Sequence, residues 1–257
     1  MLTALLDAGV VPDLVVGTSI GALNGVAVAL DPSPAGAEQL RRLWVEVVHS
    51  GVFGGSIVDR VRHLARHRTS LHSGEPLDRL IRTVVGDRDI ERLEVEFQCV
   101  ASCIETASPE WFEQGPAVPA VMASCAVPGL LPAVEIDGRH YLDGGIVDSI
   151  PVQRALDLGA SRVFVLQVGR IEEPLRPPRH PQEVAVVAFE LARRNRFASA
   201  MSALPEGVDV HVLPTGGTGP RATDLRQLRY RDFSDVAARI DAAHVASADY
   251  ISSRGLT

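Results

Sequence analysis

Runs of consecutive apolar residues alternate with longer stretches in which apolar and polar residues recur at helical spacing. The apolar runs predict buried strands, at residues 13–16, 96–102, 162–168 and 208–213. Helical spacing or small-residue faces predict helices, at residues 2–9, 21–30, 36–50, 76–85, 119–126, 184–196 and 233–252. Residues 134–142 read as a hairpin around Asp137-Gly138. Strands that alternate with helices predict an α/β fold, with a mostly parallel central sheet and helices on both faces.

Composition and charge narrow the class of protein. The 257 residues suit one large domain, 1–257, and no linker divides them. The net charge of −7, without a basic stripe, argues against a nucleic-acid partner. Cys99, Cys103 and Cys125 have no metal-binding spacing, so we expect buried reduced thiols and no metal or other cofactor. No signal peptide or long apolar run is present, so the expected location is cytoplasmic.

The junction between the first predicted strand and the following helix reads Gly17-Thr18-Ser19-Ile20-Gly21. A serine on a sharp strand-to-helix turn between two glycines is typical of a nucleophile elbow. Because the backbone segments approach closely there, we expect that no side chain fits at Gly17 or Gly21. We also expect the backbone of Ser19 to be strained. An ordinary turn with an incidental serine is the alternative, and these five residues alone do not exclude it.

A serine hydroxyl needs a base to become a nucleophile. After such an elbow the usual order is serine, carboxylate, histidine. None of the downstream histidines lies in an obvious base-bearing loop: His49, His63, His67, His72, His140, His180, His211 and His244. Asp143 is a better candidate, because it ends a predicted hairpin strand and precedes Gly144 and Gly145, which let other groups come close. A plain Asp-Gly turn is the alternative at that position.

Three segments together carry a family resemblance: residues 17–25, residues 123–132 (Ala-Ser-Cys-Ala-Val-Pro-Gly-Leu-Leu-Pro) and residues 141–151 (Tyr-Leu-Asp-Gly-Gly-Ile-Val-Asp-Ser-Ile-Pro). In this order and at this spacing they resemble the patatin-like phospholipase family, and the resemblance extends from Leu2 to about Leu213.

The chain contains no lysine, and this use of arginine alone indicates a bacterium with GC-rich codons.

The resemblance implies a three-layer α/β/α sandwich and hydrolysis of lipid acyl esters. It makes Ser19 the nucleophile and Asp143 its general base, in a dyad without histidine, and gives the Ile20 N–H a place in the oxyanion hole. Burial in a lipid-lined pocket is expected to raise the pKa of Asp143 into a useful range. The expected partners are a lipid or acyl-ester substrate and, peripherally, a membrane surface.

The sequence also departs from the family pattern. The family's first strand and glycine-rich oxyanion loop belong just before Leu2, so we interpret the chain as truncated at its N-terminus, with Met1 not the native start. Asp148 stands where many members carry asparagine. The runner-up interpretation is a catalytically impaired remnant that keeps the fold and the dyad but lacks the loop. An acyltransferase or thioesterase is a third, and it would need a base histidine.

Overall fold

The computed structural model describes residues 1–50, 70, 72–167, 174–217 and 236–256. Their contacts divide the chain into two units, which are described separately. One unit holds the described part of residues 12–32 and 52–151, and the other holds the described part of residues 1–11, 33–51 and 152–257. The candidate histidines His63 and His67 lie outside the described residues, as do residues 233–235 of the last predicted helix.

The predicted helices and strands occur in the predicted order among the described residues, together with one strand and one helix that were not predicted. The described α-helices are α1 Leu2–Asp7, α2 Ile20–Leu30, α3 Pro34–Ser50, α4 Glu75–Val85, α5 Ala117–Ser124, α6 Val152–Asp157, α7 Pro181–Ser202 and α8 Val236–Arg254. The described strands are β1 Leu14–Thr18, β2 Glu96–Cys103, β3 Ser108–Phe112, β4 Val134–Ile136, β5 Arg139–Asp143, β6 Arg162–Val165 and β7 Asp209–Val212. None of the helices in that part of the chain combines the length and the apolar character that a membrane span requires.

The five-stranded sheet of the first unit brings two strand ends together. β1 runs parallel to β2 and ends where Thr18 pairs with Val100. β5 runs antiparallel to β2 and ends where Asp143 pairs with Ala101. Because β3 occupies one side of β2 from Cys99 onward, β1 and β5 both lie along the other side. The two strands therefore approach end to end, and the residue after Thr18 comes beside Asp143.

Strand direction differs from the sequence-based expectation. The α/β class holds, but this sheet is mixed: β1 and β2 are parallel, whereas β2 pairs antiparallel with β3 and β5, and β4 with β5. The prediction of a mostly parallel sheet is therefore wrong among the described strands. The reason is connectivity, because β2–β3 and β4–β5 are joined by turns too short for a parallel crossover.

Helix α2 packs closely on the sheet that precedes it. Ala22, Leu23 and Val26 are fully buried on its inner face. Gly25 faces Phe97 of β2, and a Cβ there would lie 3.0 Å from the aromatic ring. Small residues thus let the helix axis approach the strands, which holds the start of α2 firmly at the end of β1.

The second unit contains a parallel pair, β6 and β7, with Arg162 opposite Asp209. Its core includes Leu5, Leu213 and Ile251. Strand β6 ends at Val165, three residues before the predicted end, and α7 continues to Ser202.

The prediction of buried reduced thiols is confirmed. The three cysteines are free, and all of them lie buried in the first unit.

Candidate active site

The elbow at Ser19 is strained in the way the sequence predicts. Its backbone adopts φ 56° and ψ −125°, a region that residues other than glycine rarely occupy. Although Ser19 precedes the first residue of α2, its side chain makes no capping bond to that helix. The hydroxyl is therefore available for another partner.

The two glycines of the elbow differ. A Cβ on Gly17 would lie 2.5 Å from the carbonyl oxygen of Gly21 and 2.7 Å from the Cα of Ala22, so only glycine fits between strand and helix. A Cβ on Gly21 would meet nothing within 4 Å among the described residues. The steric prediction for Gly21 is therefore wrong, because this residue lies on the exposed side of the first helical turn.

The Ser19 hydroxyl donates a hydrogen bond to Asp143 Oδ2, with a distance of 2.5 Å between the two oxygens. Asp143 is only 6% exposed. Its other carboxylate oxygen, Oδ1, accepts the Gly145 N–H at 2.7 Å. Each carboxylate oxygen thus accepts a hydrogen bond, which fixes the rotamer of Asp143 towards the elbow.

Gly144 permits this arrangement. A Cβ on Gly144 would overlap the carbonyl oxygen of Val100, the residue of β2 that pairs with Thr18. The chain therefore turns away from β5 directly against the backbone of β2. Gly145 contributes its N–H to Asp143, so the two glycines have separate structural tasks.

Burial raises the pKa of the Asp143 carboxyl above its ordinary value. The hydrogen bonds from Ser19 and Gly145 favour the ionised form and oppose this change, but they are the smaller effects. A carboxylate with a raised pKa is a stronger base than a free aspartate. The pKa of Asp143 is therefore shifted in the direction that proton abstraction from a serine requires.

We expect this raised pKa to appear in the pH profile of any hydrolysis that Asp143 supports. A base acts only when deprotonated, so kcat/KM should fall as the pH decreases through the pKa of Asp143, with a midpoint above the value of about 4 for a free aspartate. Kinetics on a soluble ester from pH 4 to 9 would measure this.

Glu105→Gln is the matched control for the pH profile. Hydrogen bonds from the backbone and ring of His140 hold the pKa of Glu105 at about 2, on the exposed surface of the same unit. Its removal should leave the acidic midpoint unchanged. A wild-type midpoint at or below 4 would contradict the assignment of Asp143 as the base.

Three hydroxyl groups that the sequence analysis overlooked hold the dyad in place. Ser124 Oγ accepts the Ser19 backbone N–H at 2.9 Å. Ser102 donates to the Asp143 carbonyl at 2.8 Å, and Thr18 donates to the Asp148 carbonyl at 2.9 Å. Ser124 lies inside the second family-like segment and Thr18 inside the elbow, so position in a motif was the available signal. Ser102 lies within β2 and outside these motifs, so no sequence signal pointed to it.

The Ile20 N–H is placed at the first turn of α2, where backbone donors have no acceptor within the helix. The Ser19 carbonyl accepts the N–H groups of Ala22 and Leu23, the next donors along. A negative charge that develops beside Ser19 would therefore lie at the positive, N-terminal end of the α2 dipole.

No described histidine takes part in these contacts. Among the described residues, the hydrogen-bond partners of the Ser19 and Asp143 side chains include no histidine. His140 pairs with Glu105, and His244 pairs with Asp7 in the other unit. Nor do the described histidine, cysteine and acidic side chains form a group of three that could hold a metal ion.

Comparison with known proteins places this chain in a family. Residues 1–156 match the model of the patatin-like phospholipase family, so the chain belongs to that family. The match also confirms the fold class, which is α/β with a mixed central sheet flanked by helices.

The curated relatives are much longer proteins. The chain is 32% identical over 173 residues to lysophospholipase nte1 of Aspergillus terreus. The aligned segment covers 67% of this chain and 11% of the relative. It is 31% identical over 175 residues to patatin-like phospholipase domain-containing protein 6 of Homo sapiens. Here the aligned segment covers 67% of this chain and 12% of the relative. The chain thus spans about a tenth of the length of these relatives.

Proposed function

We propose that this protein hydrolyses lipid acyl esters, with Ser19 as nucleophile and Asp143 as general base. The observation that carries the proposal is the short hydrogen bond from the Ser19 hydroxyl to the buried Asp143 carboxylate, at an elbow whose backbone is strained. Membership of a phospholipase family supports the same reaction class.

The reaction follows from the positions of these groups. Asp143 Oδ2 accepts the Ser19 proton as Oγ attacks the ester carbonyl, and the carbonyl oxygen takes the negative charge near the Ile20 N–H. Collapse of this intermediate breaks the bond to the alcohol, which leaves with the proton from Asp143. Asp143 then takes a proton from water, whose oxygen attacks the acyl-serine. The fatty acid departs, and the proton returns to Ser19.

The surroundings of the dyad favour an apolar acyl group. Ile20, directly after the nucleophile, is 38% exposed, and Ile146, which follows Gly145, is 42% exposed. Exposed isoleucines beside a reactive serine offer an apolar surface for a fatty acyl chain. One of the relatives is named a lysophospholipase, so a lysophospholipid is the first substrate we propose.

Release of fatty acid from lysophosphatidylcholine tests this proposal. We expect the wild-type protein to release oleate from the oleoyl lipid, with or without a chelator such as EDTA. It should cleave the corresponding acetate ester of the same charged alcohol at least tenfold more slowly, because an acetyl group is too short to make the apolar contacts of a fatty acyl chain. Ser19→Ala is the control for contaminating lipases. Preference for the acetate ester, or loss of activity with EDTA, would contradict the proposal.

A further inference from the structure

The C-terminal end of α5 contacts the backbones of both members of the dyad. Ser124, the last residue of this helix, accepts the Ser19 N–H through its hydroxyl oxygen at 2.9 Å. Ala126, two residues later, accepts the Asp143 N–H through its carbonyl oxygen at 2.9 Å. Residues 124–126 therefore bridge the nucleophile and the base directly.

This bridge is itself rigidly held. Ser124 and Ala123 have no exposed surface, and Ala126 is 1% exposed. The Cys125 N–H donates to the Val121 carbonyl at 3.0 Å, which continues the helical pattern to the end of α5. A buried helix end does not adjust easily, so it transmits a fixed spacing to the two groups that it binds.

The contact at Ser19 acts on the strained residue itself. A positive φ at a serine persists only where the surroundings impose it. Gly17 makes room for the turn, whereas Ser124 supplies an attractive contact to the Ser19 backbone. Without that acceptor, the Ser19 N–H would be left unpaired in a partly buried site, and relaxation of the turn would move Oγ relative to Asp143.

We propose that Ser124 is a positioning residue, which holds the Ser19 backbone so that Oγ stays in line with Asp143 Oδ2. The inference rests on the proposed hydrolase function and extends it to a residue that touches neither substrate nor reacting atoms. Ala126 holds Asp143 through its backbone carbonyl, which a substitution does not remove. The bridge is therefore tested at the side chain of Ser124.

The second unit provides a matched control. Ser247 is fully buried like Ser124, and its hydroxyl also bonds to a backbone group, the Pro214 carbonyl, at 3.0 Å. Replacing either serine with alanine removes one buried hydrogen bond and leaves similar space. The two variants should therefore lose similar thermal stability, and they should differ in catalysis only if Ser124 positions the nucleophile.

The experiment compares Ser124→Ala and Ser247→Ala in the full chain, with an acyl ester as substrate and a fluorophosphonate as a serine-reactive probe. For Ser124→Ala we expect kcat to fall roughly 10- to 100-fold with KM unchanged, because a small displacement of a reacting group costs rate and leaves binding intact. The rate of reaction with the probe should fall by the same factor. Ser247→Ala should keep the wild-type kcat.

Two further variants separate positioning from folding. Ser124→Cys keeps nearly the same volume but offers only a weak acceptor, so it should fold and still lose kcat. Ser124→Thr keeps the oxygen acceptor but adds a methyl group to a fully buried site, so it should lose less kcat than Ser124→Cys without reaching the wild-type value.

Equal kcat values in Ser124→Cys and wild type would overturn the inference while the hydrolase proposal stands. A wild-type chain that neither cleaves the ester nor reacts with the probe would overturn the proposed function, and this inference with it.

Discussion

Ser19→Ala, Asp143→Asn and the double variant should each lose roughly 10³-fold or more in kcat on an acyl ester, and all three should retain similar residual rates. The reason is that one hydrogen-bonded pair performs a single step, transfer of the serine proton as Oγ attacks. Once either member is gone, removal of the other takes away nothing more. Steady-state kinetics of the four proteins would measure this.

The control for the carboxylate is Asp137→Asn. Asp137 is an exposed turn residue between β4 and β5, on the same hairpin as Asp143, and asparagine tolerates its positive φ of 52°. This variant should keep the wild-type rate. Losses that multiply in the double variant, or an Asp143→Asn protein with normal kcat, would show that the two residues act independently.

Gly144→Ala should lower the free energy of unfolding by about 2–4 kcal/mol and also reduce activity strongly. The added Cβ has no room beside the carbonyl oxygen of Val100, so either β2 or the turn after Asp143 must shift. A shift of that turn moves the Gly145 N–H and the carboxylate that it holds. Urea unfolding, with activity measured on the same preparation, would test both effects.

Gly21→Ala is the stability control, because no described atom beyond its chain neighbours and its own helix backbone lies within 4 Å of the added Cβ. It should unfold at the same urea concentration as wild type or slightly above, since alanine favours a helix more than glycine does. If Gly144→Ala were as stable as Gly21→Ala, the close approach between the turn and β2 would not be a constraint on the fold.

Much of the fold could be predicted from local patterns. The strand before the elbow, the helix after it and the hairpin that ends at Asp143 all appear where apolar runs and turn residues place them. Strand β3 and helix α6 were missed. β3 contains Ser108 and Pro109, which disfavour a strand, and it forms because β2 offers a free side to pair with.

The candidate site was less accessible to sequence reasoning. The motifs suggested Ser19 and Asp143, but their proximity depends on β1 and β5 meeting end to end along β2, a long-range pairing that periodicity does not encode. Gly21 was misjudged for a similar reason. Whether a glycine lies in a tight contact or on an open surface depends on where a Cβ would point in the folded chain. Of the two elbow glycines, only Gly17 faces the helix backbone.

The most direct test of the proposed mechanism is to trap the acyl-enzyme and locate it. The protein would be mixed with a slowly hydrolysed p-nitrophenyl acyl ester, quenched in acid within the first turnover, and digested for peptide mass spectrometry. We predict one acyl group per chain, on the peptide that contains Ser19, with no such adduct in Ser19→Ala and far slower formation in Asp143→Asn. Turnover with the acyl group on another residue, or undiminished turnover in Ser19→Ala, would contradict the account.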